Sequence, residues 1–460
     1  MGDFDIFRRI LKEEARKKFF KAHGVESKGD GKCYLCGNEG EVYGFASPFS
    51  VFTVDKKGFA PQFLRENSWK QLPICEGCAV SLIVGKEFLD KYLSKRFYGY
   101  KFYVIPSFTF GDIQDEVISE IKDLEKGEYR KTFLLVEEDE ILDIIKEKED
   151  IISLIFVFYK TKQKDYFDIV KYVEDVPPSW IKKLLDTFNE IGRKQIFKEE
   201  YLKKIFEIFG NKWANDFIEG SWNGKKEKMD LGGITRTFFP ASKETGIYDK
   251  YFIDIIGDIL AQRNINSDFL ITAFIREIRS KHVNSDEFKE RLFALKSLYL
   301  LSFIDKLGLI EGGDKMGENK KEKIELKHEK EIEKVERFFK EFENAFDRAD
   351  KKAVFLEGVL ARFLLNVQKN YYGRSSAPFR SKLHGLKLDK KKVRKLLPEM
   401  VEKLAQYKEA KSYYSEYPWL KELVSKYLIY ADNDGWSISK DEISYYFALG
   451  LNLADIFKDK

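Results

Sequence analysis

Cysteine, histidine and methionine each occur only four times in this chain of 460 residues, and each scarcity removes a class of function. A disulfide reading of the four cysteines fails on the compartment expected below. The histidines, His23, His282, His328 and His384, form no HExxH pair or other paired metal motif. There is no Walker loop, because Gly31-Lys32, Gly85-Lys86 and Gly224-Lys225 lack the following Ser or Thr and the upstream glycine. A GxSxG elbow is also missing. No apolar run approaches a bilayer-spanning length, and the first residues do not read as a secretory signal, so the expectation is a soluble, cytoplasmic protein with no membrane partner. Net charge discriminates little, since 81 Lys and Arg nearly cancel 77 Asp and Glu. The acidic run Glu137-Glu138-Asp139-Glu140 reads as a solvated loop or helix start. Nothing here assembles a catalytic set, and the expectation is that the chain is not an enzyme.

What is present is ample apolar material, 43 % of residues, in a chain too long for one core. Residues 2–22 have helical apolar spacing. Val42 to Val54 reads as short β segments, Ala79 to Leu93 as a helix, and Lys101 to Phe110, Thr132 to Val136, Ile151 to Tyr159 and Tyr166 to Val173 as strands, stopped by Pro177-Pro178. Beyond Ser179 the pattern is mostly helical. Residues 285–307 carry Phe288, Leu292, Leu295, Tyr299 and Phe303 on one face, with Ser285 as cap and Gly308 as stop. Residues 311–330 are glycine-containing and dominated by alternating Lys and Glu, which reads as a linker. After it come helices at Glu333 to Phe346, Lys351 to Asn370, Lys390 to Lys411, Pro418 to Tyr430 and Lys440 to Phe457. The expected fold is α+β: a mixed α/β N-terminal part containing a zinc-ribbon-like module, then a C-terminal helical bundle. The expected domains are 1–110 (metal-binding), 111–310 (mixed, then helical), the linker 311–330, and 331–460 (the bundle).

The cysteines form two CxxC knuckles, Cys33-Tyr-Leu-Cys36-Gly37 and Cys75-Glu-Gly-Cys78. Four thiolates at this spacing suit one structural zinc, with Gly37 and Gly77 letting backbone amides face the sulfurs. All four cysteines are consumed, so none remains as a nucleophile. An iron–sulfur cluster uses the same donors and is not separated from zinc by spacing.

Basic charge is uneven. Between Arg362 and Lys395 stand eleven basic residues, among them Lys369, Arg374, Arg380, Lys382, Lys390, Lys391, Lys392, Arg394 and Lys395, against the single acid Asp389. Tyr371, Tyr372, Ser375 and Ser376 lie among them, and cations with aromatic faces and hydroxyls suit a phosphate backbone. A solvated face balancing the acidic 341–350 segment is the competing explanation. A second stretch, Gly220 to Arg236, offers Asn223, Lys225, Lys226, Lys228 and Arg236 among glycines that permit close approach to a duplex. A plain surface loop explains that stretch equally well.

Taken together, the run Cys33-x-x-Cys36, Leu72-Pro73-Ile74-Cys75-Glu76-Gly77-Cys78 leading into Leu82 and Gly85, then Tyr103-Val104-Ile105-Pro106, resembles the large subunit of type I-B CRISPR interference complexes (Cascade), the Csh-type CRISPR-associated proteins. The C-terminal part is similar as well: Phe355-Leu356-Glu357-Gly358-Val359-Leu360, Gln368, Pro378-Phe379, Leu383, and Ser439-x-Asp441-Glu442-x-x-x-Tyr446-Phe447-x-Leu449-Gly450. The resemblance implies a non-catalytic subunit near the 5′ end of the CRISPR RNA. Such a subunit recognises the protospacer-adjacent motif in duplex DNA and helps open it, beside backbone and small subunits and a separately recruited helicase–nuclease. It also implies that the C-terminal bundle is like the small subunits and guides the displaced strand. Met316, after Glu311-Gly312-Gly313-Asp314-Lys315, stands where an internal translation start would yield a separate helical product. Two other classes compete with this assignment: a zinc-ribbon nucleic-acid enzyme of nuclease or transposase type, and a scaffold without nucleic-acid contact.

Overall fold

The computed structural model describes residues 5–108 apart from 23, 50–56 and 99; residue 119; residues 152–210 apart from 161–166; residues 221–311 apart from 223–224, 227–229 and 241–246; and residues 329–458 apart from 374–376 and 413. Two compact units divide the chain between Ser179 and Trp180. The fold is mixed α+β, with its sheet near the N-terminus and its helices towards the C-terminus, as the sequence pattern predicts.

In the first unit α1 (Asp5–Phe20) leads to a hairpin of β1 (Lys28–Lys32) and β2 (Glu39–Tyr43), paired from Lys28↔Tyr43 to Lys32↔Glu39, and then to α2 (Glu76–Phe88). These elements share a small core of Phe19, Tyr43, Ala46, Ile74 and Ala79. Of the β segments expected from Val42 to Val54, the described part ends at Tyr43, whose N–H donates to the Ile74 carbonyl at 2.9 Å; 44–49 are irregular and 50–54 lie outside the described residues. A four-stranded antiparallel meander follows, β3 (Ser94–Phe97), β4 (Tyr100–Phe108), β5 (Ile152–Lys160) and β6 (Asp168–Val176). Cross-strand aromatics set its register: Phe102 lies opposite Phe158 with rings 5.1 Å apart, while Tyr103 and Tyr159 stack at 4.7 Å on the other face. Both faces are buried at these central strands, while β6 exposes Ile169 and Tyr172. The expected strand at 132–136 lies outside the described residues.

The second unit is helical: α3 (Pro178–Gly192), α4 (Glu199–Phe206), α5 (Leu231–Phe238), α6 (Ile247–Leu260), α7 (Ser267–Val283), α8 (Glu287–Lys306), α9 (Glu329–Glu341), α10 (Ala349–Tyr372), α11 (Lys390–Ala410), α12 (Pro418–Asp434) and α13 (Lys440–Leu453). Asp286 rather than Ser285 caps α8, accepting from the Lys289 N–H at 3.1 Å, because Ser285 itself takes a positive φ of 56°. Helix α10 is apolar almost all round and buried along most of its length, as a central helix must be. Against it lies α13, opened by the Ser439–Glu442 capping box and buried from Ile443 to Leu453. Gly358 and Gly450 make this crossing possible, since a Cβ on either would meet the other helix's backbone.

The 311–330 segment, expected to separate two domains, does not divide the units. Residues 312–328, Met316 among them, lie outside the described residues, but the helices on either side share one core. Charges sealed inside that core show why. Glu287 of α8 pairs both with Arg291 of the same helix and with Arg362 of α10, whose Nε also donates to Leu451 O at 2.7 Å. Arg291 pairs with Asp455, and Glu290 accepts from His282 at 2.9 Å, Arg380 at 3.0 Å and Asn452 at 3.1 Å. A product beginning at Met316 would lack α7 and α8 and strip Arg362, Arg380 and Asp455 of these partners, a costly loss for buried ions.

Glu357 is the opposite case. It is wholly buried on α10, and neither carboxyl oxygen has a hydrogen-bond partner among the described residues. Burial pushes its pKa well above the ordinary value, with only Arg394 pulling it down. The folded protein therefore keeps a proton that the unfolded chain releases above about pH 4.3. Stability from this group is full below that pH and is lost as pH rises towards the folded pKa, at about 1.4 kcal/mol per pH unit. Glu357→Gln is expected to melt with wild type near pH 4 and progressively above it towards pH 7. A difference in melting temperature that stays constant with pH contradicts this.

Candidate metal centre and nucleic-acid interface

Both knuckles sit on rigid elements. Cys33 follows β1 directly and Cys36 falls in the hairpin turn, closed by Cys33 N–H to Asn38 O at 2.8 Å and Gly37 N–H to Cys33 O at 2.9 Å, with Gly37 at a φ of +75°. Cys75 is the N-cap of α2, and Cys78 lies in its first turn. The two halves are joined where Tyr34 N–H donates to Pro73 O at 2.8 Å. The module is thus a hairpin plus a helix. The four sulfurs lie within 4.8 Å of one another, with Cys36 and Cys75 at 3.8 Å. Tetrahedral zinc, with sulfurs at about 2.3 Å, places them roughly 3.8 Å apart, so the donor set fits a single ion. Burial raises the Cys33 pKa, but the backbone amides of Cys36, Cys75 and Leu35 outweigh it and bring the thiol down to about 6. The Cys75 N–H to Cys33 Sγ contact is 3.4 Å. Cys78 is pushed up to about 12, first by burial and then by the three facing thiols. A helix N-terminus and inward amides favour anionic sulfur, and a cation among the four removes their mutual opposition.

The basic residues separate into two groups. Arg362 is 1 % exposed and belongs to the sealed network. Lys369 pairs with Glu287 at 3.0 Å, and Arg380 is held by Glu290 and by His282 O at 3.1 Å. Arg362 is sealed, whereas Lys369 and Arg380 are half-buried and ion-paired with acids of α8, far away in sequence, so the exposed patch is smaller than the charge run suggests. Arg374 lies outside the described residues. Lys382 is exposed beside Glu399 at 3.3 Å. At the start of α11, Lys387, Lys390, Lys391, Arg394 and Lys395 are all exposed or partly so, and Lys392 reaches back to Lys387 O at 2.7 Å. Lys391, Arg394 and Lys395 share one helix face. Asp389 caps this helix through the Lys392 N–H at 2.9 Å, and that bond, with Lys392 and Lys440 nearby, holds its carboxyl below the ordinary range. Three lysines in a first turn oppose the helix dipole, so local helix stability does not account for them.

In the Gly220 to Arg236 stretch, Ser221–Trp222 pairs with Lys225–Lys226 as a short antiparallel ladder. Asn223 and Lys228 lie outside the described residues, and only the backbone of Lys225 and Lys226 is described. The glycines expected in a loop, Gly232 and Gly233, are helical: Asp230 caps α5 by accepting from Gly233 N–H at 2.8 Å, and Leu231, Ile234 and Phe238 bury its inner face. Arg236 projects from this helix, 5.3 Å from the Phe252 ring. Trp436 escapes a reading based on charge. It lies between α12 and α13, and the Lys390 ammonium and Arg394 guanidinium stand 5.1 and 5.7 Å from its ring centre. A tryptophan in a polar, glycine-containing loop was the available signal.

Residues 30–176, which hold both cysteine pairs and the whole meander, match the central domain of CRISPR-associated protein TM1802, and residues 229–460 match its C-terminal domain. A two-unit α+β protein with a four-cysteine centre is thereby placed among the CRISPR-associated proteins. The chain belongs to the CRISPR-associated protein TM1802 (cas_TM1802) family. No curated protein matches it. The C-terminal match begins before α5, so it too runs across 311–330. Among the described residues no helix is long and apolar enough to cross a membrane.

Proposed function

We propose that this chain is the non-catalytic large subunit of a type I-B CRISPR RNA-guided surveillance complex, holding nucleic acid on the basic start of α11 and shaped at its N-terminus by one structural zinc. In that role it recognises the protospacer-adjacent motif in target duplex and stabilises the opened DNA, with CRISPR RNA, Cascade backbone and small subunits and a recruited helicase–nuclease as partners. Family membership supports a CRISPR role. The observation that carries the nucleic-acid assignment is the exposed pair Lys391 and Lys395, on one helix face with Arg394, which pairs with Asp432, and beside Lys387 and Lys390. A four-sulfur site leaves zinc no open position, which favours shape over chemistry.

Charge reversal tests this. Lys391→Glu with Lys395→Glu is expected to weaken binding of the purified chain to DNA and lower the slope of log affinity against log salt by roughly 2. The thermal melt should be unchanged, because both side chains lie outside the ion pairs of the core. Unaltered affinity and slope would remove this helix from the interface.

A further inference from the structure

We propose that Trp436 is a stacking platform for an unpaired base, so that the basic start of α11 prefers single-stranded nucleic acid over duplex. This rests on the nucleic-acid role above and adds to it the residue that senses strandedness. Trp436 follows Gly435, whose φ of +77° turns the chain out of α12. Its indole N–H donates to Asp432 Oδ1 at 2.8 Å, and Arg394 pairs with the same carboxylate, so one edge of the ring is pinned to the last turn of α12. The ring itself is only half-buried.

Trp180 makes the contrast. It is 6 % exposed and donates to Ile259 O at 2.9 Å, the placement of an indole that serves packing. Trp436 instead is partly exposed, with the Lys390 ammonium and Arg394 guanidinium within cation–π range of its ring, and Lys391 and Lys395 follow on the same helix. A flat, fixed π-face framed by cations matches a nucleotide in both its parts: the base stacks and the adjoining phosphates meet the ammonium groups. Bases in a duplex are stacked on one another and offer no free face. The indole therefore discriminates by strandedness, and it does so without reading sequence, since every base has a π-face.

The test uses the full chain with labelled oligothymidylate and a duplex of equal length, and compares wild type with Trp436→Leu, Trp436→Ala and Trp436→Phe. Leu keeps apolar volume but has no π-face. Leu and Ala are expected to weaken oligothymidylate binding about 5- to 100-fold, to leave duplex affinity and the salt slope unchanged, and to melt with wild type, while Phe retains most of the affinity. Trp436→Leu binding oligothymidylate as wild type does would overturn stacking. So would equal weakening of both ligands, which would make the ring a clamp that orients α11. Wild type that binds neither ligand at any salt would sink the nucleic-acid role itself, an outcome distinct from wild type that binds both and is indifferent to Leu.

Discussion

Gly450→Ala is expected to cost the second unit roughly 3 kcal/mol or more, read as a melting temperature lower by on the order of 10 °C or as insoluble protein. Helices α10 and α13 cross here backbone to backbone. A Cβ on Gly450 would collide with the Phe355 carbonyl oxygen and lie 2.8 Å from its carbon and 3.0 Å from Val359 N. Gly358 faces Phe447 O and Leu451 N across the same crossing. Backbone atoms in two buried helices cannot step aside as a flexible side chain can, so relief requires the helices to part and open voids in a core that includes Phe355, Val359, Phe447 and Leu451. Gly85 is the control. It sits inside α2 with open space within 4 Å of the position a Cβ would take, and Gly85→Ala should stabilise the first unit by up to about 1 kcal/mol through backbone entropy alone. Equal, small effects at both positions would contradict the crossing geometry.

Losing the metal is the second large effect. Under the zinc assignment, Cys33→Ala or chelation should unfold the hairpin–helix module and leave the helical unit intact. Structural zinc binds with about 10–16 kcal/mol, which is comparable to the whole stability of a small domain. The core of Phe19, Tyr43, Ala46, Ile74 and Ala79 is too small to replace it. Hydrogen exchange is the measurement: amide protection across 28–43 and 76–88 should vanish in the metal-free protein, while that across 349–372 persists. Protection of the hairpin that survives complete removal of metal would mean the module stands on its own core.

Short-range physics made much of this legible in the sequence. The paired cysteines, the meander strands β4, β5 and β6 and the helices from 349 onwards follow from spacing and period, whereas the short β3 went unread, and the structure puts the four sulfurs together. Long-range pairing was not legible. Arg362, Lys369 and Arg380 count as surface cations until α8 brings Glu287 and Glu290 to them. The 311–330 composition describes a linker and says nothing about whether the helices it joins share a core. Gly232 and Gly233 read as loop because glycine content outweighed the Asp230 cap and the Leu231, Ile234 and Phe238 spacing. The family-like runs turned out to mark packing positions: Gly358 and Gly450 at the crossing, and Gln368, which accepts from the Phe379 N–H at 2.9 Å and donates to Tyr407 at 3.1 Å.

The central claim is that nucleic acid is held on the outer face of α11 and not by the cations of the same run that pair with α8. Photo-crosslinking of target DNA to the chain within the RNA-guided complex proposed for it, followed by peptide mapping, tests it most directly. Crosslinks concentrated on 387–395 and at Trp436, with none on Arg362 or Lys369, are the predicted result. Crosslinks confined to other surfaces, with 387–395 bare, would contradict it.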